Sequence, residues 1–135
     1  MKTTGSCLCG CVHFEIEGEF EQFFLCHCSR CRKDTGSAHA ANLFSHGANL
    51  QWLSGEELVQ TFTLPATRHT RSFCTVCGSA LPIEIPGESF IVIPAGSLDE
   101  EIAIKPTAHI FVGSKAGWDH NLELAPKYQA LPQHI

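Results

Sequence analysis

The chain is short of charge, and of positive charge in particular: nine Lys and Arg stand against fourteen Asp and Glu, and charged residues make up 17% of 135. A net charge of −5 offers no general attraction to nucleic acid or to anionic lipid, so neither is expected as a partner. Long apolar runs are missing too. No window approaches the roughly 18 apolar residues of a membrane-spanning helix, and residues 1–10 lack the basic-then-apolar order of a secretory leader, which predicts a cytoplasmic protein. Internal repeats, low-complexity tracts and long linkers are absent, so residues 1–135 are expected to form one domain. What is plentiful is apolar side chain, 44%, enough to bury a core.

Eight cysteines fall in three tight groups: Cys7, Cys9 and Cys11; Cys26, Cys28 and Cys31; Cys74 and Cys77. Disulfides in secreted proteins usually staple distant loops, whereas reduced intracellular thiols cluster as metal ligands. Zinc is therefore expected, since it takes thiolates tetrahedrally. Phe73-Cys74-Thr75-Val76-Cys77-Gly78 has the form of a knuckle, in which a strand delivers one sulfur, a turn the second, and Gly78 supplies a positive φ. A redox dithiol is the competing reading of C-x-x-C, but no βαβ pattern surrounds it.

Cys26-His27-Cys28-Ser29-Arg30-Cys31 offers three sulfurs in six residues, one short of a closed site. Structural zinc takes four protein ligands, while catalytic zinc keeps a position free. The asymmetry predicts a closed site on Cys7, Cys9, Cys74 and Cys77 and an open one on Cys26, Cys28 and Cys31. His27 is an alternative fourth ligand, although a side chain between two coordinating neighbours would point away. Spacing alone does not say which pair of the C-x-C-x-C run binds metal. Cys11 begins an alternating stretch and is expected to be a small buried residue.

Period-2 alternation recurs over residues 12–17, 38–44, 58–64, 81–85 and 90–93 with Gly or Pro between, so the chain is mainly β with very little helix. The one helical candidate is 29–35, with Ser29 as cap and Gly36 at its end. Arg30, Arg32 and Lys33 gather three of nine basic residues beside the three-cysteine group. They form either a solvated helix face or an anion subsite. In the run from His109 through Lys115 to Trp118, His109 and Trp118 are first read as core and rim packing and second as pocket lining.

Three motifs, Gly5-Ser6-Cys7-Leu8-Cys9-Gly10, Cys26-His27-Cys28-Ser29-Arg30-Cys31-Arg32-Lys33 and Phe73-Cys74-Thr75-Val76-Cys77-Gly78, resemble in order and spacing the glutathione-dependent formaldehyde-activating family. Residues 106–118 are also similar to it, and so is the domain of centromere protein V. The resemblance implies a β-tent of packed antiparallel sheets with zinc knuckles and two Zn2+ per chain. One is structural, on Cys7, Cys9, Cys74 and Cys77, and one catalytic, on Cys26, Cys28 and Cys31; Cys11 lies outside both. It implies a carbon–sulfur lyase that joins glutathione, or a related thiol, to formaldehyde or another small aldehyde. An open zinc would either lower the thiol pKa or polarise the aldehyde oxygen. Substrate contacts are expected from Arg30, Arg32 and Lys33, with His109, Lys115 and Trp118 as the second choice. A zinc-stapled binding module without chemistry is the alternative, because fold does not carry function. Exposed sheet edges are compatible with a homodimer.

Overall fold

The computed structural model describes residues 1–85 and 87–133. In chain order these form β1 (Lys2–Ser6), β2 (His13–Glu17), β3 (Gln22–Cys26), helix α1 (Ser29–Thr35), β4 (Ala40–Ser45) and β5 (Asn49–Ser54). There follow β6 (Val59–Thr63), β7 (Thr70–Cys74), β8 (Ala80–Leu81), β9 (Ile83–Glu84), β10 (Ile91–Pro94) and β11 (Ala108–Ile110). The architecture is mainly β. Three sheets have the orders β1-β2-β5, β11-β3-β4-β10-β9 and β6-β7-β8. Ladders between the named strands are antiparallel except that β11 lies parallel to β3, with Ile110 opposite Cys26.

In β2 the alternation puts Phe14 and Ile16 at 0% exposure, preceded by Val12 at 0%. They meet Leu43 from β4, Leu81 from β8, and Ile91 and Ile93 from β10. Burying such a side chain contributes about 1.5–3 kcal/mol. Cys7 and Cys74 belong to the same cluster, so two sulfurs of the expected closed site are seated in the core. The same period corrects the reading of Cys11: with Val12 inward, its neighbour faces out, and Cys11 is exposed.

Residues 81–85 divide instead of forming one strand. The buried Pro82 has no N–H to give a ladder, and the chain passes there from β8 in one sheet to β9 in another. Helix α1 has the expected extent, but its cap is Cys28 and not Ser29. Cys28 is extended (φ −64°, ψ 155°), and its sulfur accepts the Cys31 N–H at 3.3 Å. At the other end Gly36 takes φ 67° and donates its N–H to the Arg32 carbonyl at 2.9 Å.

Candidate metal centres

Strand β1 ends in a turn carrying Cys7 and Cys9, and β7 runs into the turn carrying Cys74 and Cys77. Two hydrogen bonds close the second turn: the Gly78 N–H donates to the Cys74 carbonyl at 2.7 Å, and the Cys74 N–H donates to the Ser79 carbonyl at 3.0 Å. Gly78 has φ 78°, the left-handed conformation expected of the knuckle. The Leu8 N–H donates to the Ser79 hydroxyl at 2.9 Å and ties one turn to the other. All four sulfurs lie within 4.8 Å of one another. Cys7 and Cys9 are separated by 3.6 Å and Cys9 and Cys74 by 3.9 Å. Four sulfurs about 2.3 Å from a tetrahedral ion stand about 3.8 Å apart, whereas a disulfide brings sulfurs to about 2.05 Å. The donor set therefore fits a tetrahedral thiolate-bound ion, and Cys11 is not part of it.

The other three sulfurs, of Cys26, Cys28 and Cys31, also lie within 4.8 Å of one another. Strand β3 delivers Cys26, and the first turn of α1 delivers Cys28 and Cys31. No further His, Cys, Asp or Glu joins them among the described residues. In this group burial pushes the Cys26 thiol up, and burial together with the Cys28 and Cys26 sulfurs does the same to Cys31. Burial opposes the Cys28 thiolate as well. There the N–H groups of Cys31 and Arg30 and the Cys31 and Cys26 thiols outweigh it, and Cys28 falls below the ordinary thiol value. In the closed set the Ser79 hydroxyl and N–H hold Cys77 down to about 5. Burial opposes the Cys7 thiolate, but the Val12 N–H and the Cys9 and Cys74 thiols outweigh it and Cys7 also lies below the ordinary thiol value, so each cluster holds at least one sulfur well disposed to be thiolate, as a cation site requires.

His27 turns away from the sulfurs, as its position between two of them suggested. Its ring is 2% exposed, with Nε2 2.9 Å from His109 Nδ1. Its Nδ1 stands 3.2 Å from Asp119 Oδ2, close enough for charge attraction but not aligned as a hydrogen bond. Burial holds His27 below the usual imidazole value; His39 adds to this and Asp119 opposes it. The parallel pairing of β11 with β3 makes this contact, because it sets His109 opposite Leu25.

His109 and Trp118 are not core residues. Both are exposed, Trp118 at 63%, since β11 is an edge strand and the chain beyond it runs over the surface. The basic residues of α1 part company. Arg32 Nη1 donates to the Ser114 carbonyl at 2.9 Å. Arg32 and Lys33 line a hollow of about 390 Å³ with Ser29, Gly36, Ser37 and Trp118. Arg30 and Lys33 line another, about 470 Å³, with Phe62, Leu64, His69 and Arg71. Lys115 is exposed beyond a short 3-10 turn.

Sequence reasoning missed the link between the two cysteine clusters. Arg71 of β7 donates from Nη1 to the backbone carbonyl of Asp34 and to Asp34 Oδ1 at 3.1 Å, and from Nη2 to the Gly78 carbonyl at 3.0 Å. His69 Nε2 stands 2.8 Å from Asp34 Oδ2. One guanidinium thereby joins the helix carrying Cys31 to the turn carrying Cys77. The only local signal was a pair of charged residues, Asp34 and Arg71, each three positions from a cysteine in a chain with little charge.

Comparisons with known proteins give the family and the fold. The sequence model of the glutathione-dependent formaldehyde-activating enzyme family matches residues 2–114. A Halomonas elongata protein with the provisional name glutathione-dependent formaldehyde-activating enzyme is 33% identical over 129 residues, covering 87% of this chain and 80% of its own. The crystal structure of a Rhodobacter sphaeroides protein superposes with a TM-score of 0.55 at 22% identity, over 78% of this chain and 98% of that one, and so shares the fold.

Proposed function

The chain belongs to the glutathione-dependent formaldehyde-activating family, and from that premise we propose that it is a zinc-dependent carbon–sulfur lyase. It makes or breaks the adduct of glutathione, or a related thiol, with formaldehyde or another small aldehyde. The observation that carries this reading is the unequal division of seven sulfurs, four in one cluster and three in the other. Cys7, Cys9, Cys74 and Cys77 would hold a structural ion, and Cys26, Cys28 and Cys31 a second one. Zinc on three thiolates supplies a centre that favours the deprotonated form of an incoming thiol.

The chain's own residues do the rest. The helix amides at Cys31 and Arg30 favour the thiolate of Cys28, which keeps that ligand able to take a cation. Lys33, exposed and shared by the two hollows beside α1, would meet a carboxylate of the thiol, while Arg32 ties the helix to the chain at Ser114. Arg30 adds charge on the other side of the helix. A cytoplasmic location, where such thiols are kept reduced, suits this chemistry.

Metal analysis together with exchange spectroscopy tests the reading. Two zinc equivalents per chain are expected, with faster exchange of formaldehyde between free and glutathione-bound forms when protein is added. Two zinc ions without any acceleration, for any thiol of a panel, would leave a zinc-stapled binding module and sink the lyase.

A further inference from the structure

One face of the five-stranded sheet is covered only in part, with Thr70 and Arg71 of β7 and Ala80 and Leu81 of β8 bordering a cleft on it. In β4, Leu43 and Ser45 are buried, so Asn42 and Phe44 point the other way. Register extends this face across the sheet, because residues directly opposite share a side. Cys26 lies opposite Ala40, Phe44 opposite Val92, and Val92 opposite Ile83. The face runs along β4 from Ala40, level with Cys26, through Asn42 to Phe44 at the far end of the strand, where an apolar row of Phe44, Val92 and Ile83 crosses the sheet. None of the three belongs to the core cluster. A cleft of about 260 Å³ lies along this row and reaches Cys31, with the charged group of Asp34, Arg68, His69 and Arg71 also in its wall.

We propose that this cleft receives the carbon chain of the aldehyde, and that the preferred electrophile is an aliphatic aldehyde of several carbons. The inference rests on the lyase reading and names its substrate class. Water occupies about 30 Å³ per molecule in the liquid, so the cleft has room for roughly nine waters. Formaldehyde, with one carbon, would leave most of an apolar surface unfilled. Glutathione does not suit the row itself, where its charged ends and amides would lose water; their partners in this wall, Arg68, His69 and Arg71, stand apart from the apolar row. The reaction balances without an oxidant: the sulfur bonds to the carbonyl carbon, the C=O π pair passes to oxygen, and oxygen takes the proton the thiol gave up.

Each buried methylene is worth about fourfold in binding. With zinc-loaded protein and glutathione, kcat/KM measured by exchange spectroscopy should rise roughly 60-fold from ethanal to pentanal, three methylenes apart. Val92→Phe and Ile83→Phe, each filling the cleft, should flatten that slope, and near-UV circular dichroism identifies any variant that fails to fold. Independently of turnover, 1-pentanol added without thiol should shift the methyl resonances of Val92 and Ile83 and leave those of Val12 and Ile16 in place. Activity on formaldehyde with a flat response to chain length overturns this inference and leaves the lyase standing. No exchange with any aldehyde overturns the lyase, and the pentanol shifts still decide the cleft: unmoved Val92 and Ile83 methyls overturn it.

Discussion

Replacing Arg71 with Ala removes a side chain that, alone among the described residues, hydrogen-bonds to both the helix of the three-cysteine cluster and the turn of the four-cysteine one. Three hydrogen bonds are lost, to the Asp34 carbonyl, the Asp34 carboxylate and the Gly78 carbonyl. A buried hydrogen bond to a charged group contributes about 1.5–3 kcal/mol. The Arg71 side chain is 30% exposed and that of Asp34 23%, so water replaces part of what is lost and the sum falls to about 3 kcal/mol. For a chain of this size that is a fall in melting temperature of roughly 10 °C. An ordinary surface ion pair would cost at most about 1 kcal/mol, or a few degrees. Arg71→Lys keeps the charge but not the fork, and should recover less than half of the loss. Calorimetry of zinc-loaded protein gives the first number. Asp34→Ala and the double variant complete a cycle, in which a coupling of about 1–2 kcal/mol is expected. A fall of under about 3 °C in Arg71→Ala, or additivity with Asp34→Ala, would refute the bridge.

The two clusters should differ in what their loss does. Cys74 is fully buried in the core and ties β7 to the β1 turn, so Cys74→Ser should abolish the cooperative melt. Cys28→Ser should lose one zinc equivalent and the activity but keep the fold, because Ser also caps a helix; equal destabilisation by both variants would contradict the division. Cys11→Ser should retain both zinc equivalents, since Cys11 is exposed and lies outside both sulfur clusters. A drop of one equivalent by metal analysis would show that the ligand assignment is wrong. Arg32→Ala combined with Lys33→Ala should raise the Kd for glutathione several-fold at low salt, less at high salt, with zinc content unchanged. An unaltered Kd by titration calorimetry would make this a solvated helix face.

Spacing of ligand types within a few residues carried much of the chemistry. C-x-x-C followed by Gly78, three sulfurs between Cys26 and Cys31, and Gly36 closing a two-turn helix are local features, set by which atoms adjacent residues can bring to one point. The inward set of β2 was equally legible, because a period of two is a property of the backbone. That period also placed Cys11 outside, against the expectation drawn for it. Other features depended on which strands pair and in what register, which no short window of sequence contains. The contact of His27 with His109 spans 82 residues, and that of Arg71 with Asp34 spans 37. The break at Pro82, the parallel entry of β11 beside β3, and the apolar row from Phe44 to Ile83 come from the same pairing. Chain order alone grouped the sulfurs of Cys26, Cys28 and Cys31, while the fold decided that Cys7 and Cys9, and not Cys11, meet Cys74 and Cys77. The surfaces and side chains around them were decided only when three sheets closed on a common core, since burial selects a register through contacts between distant segments.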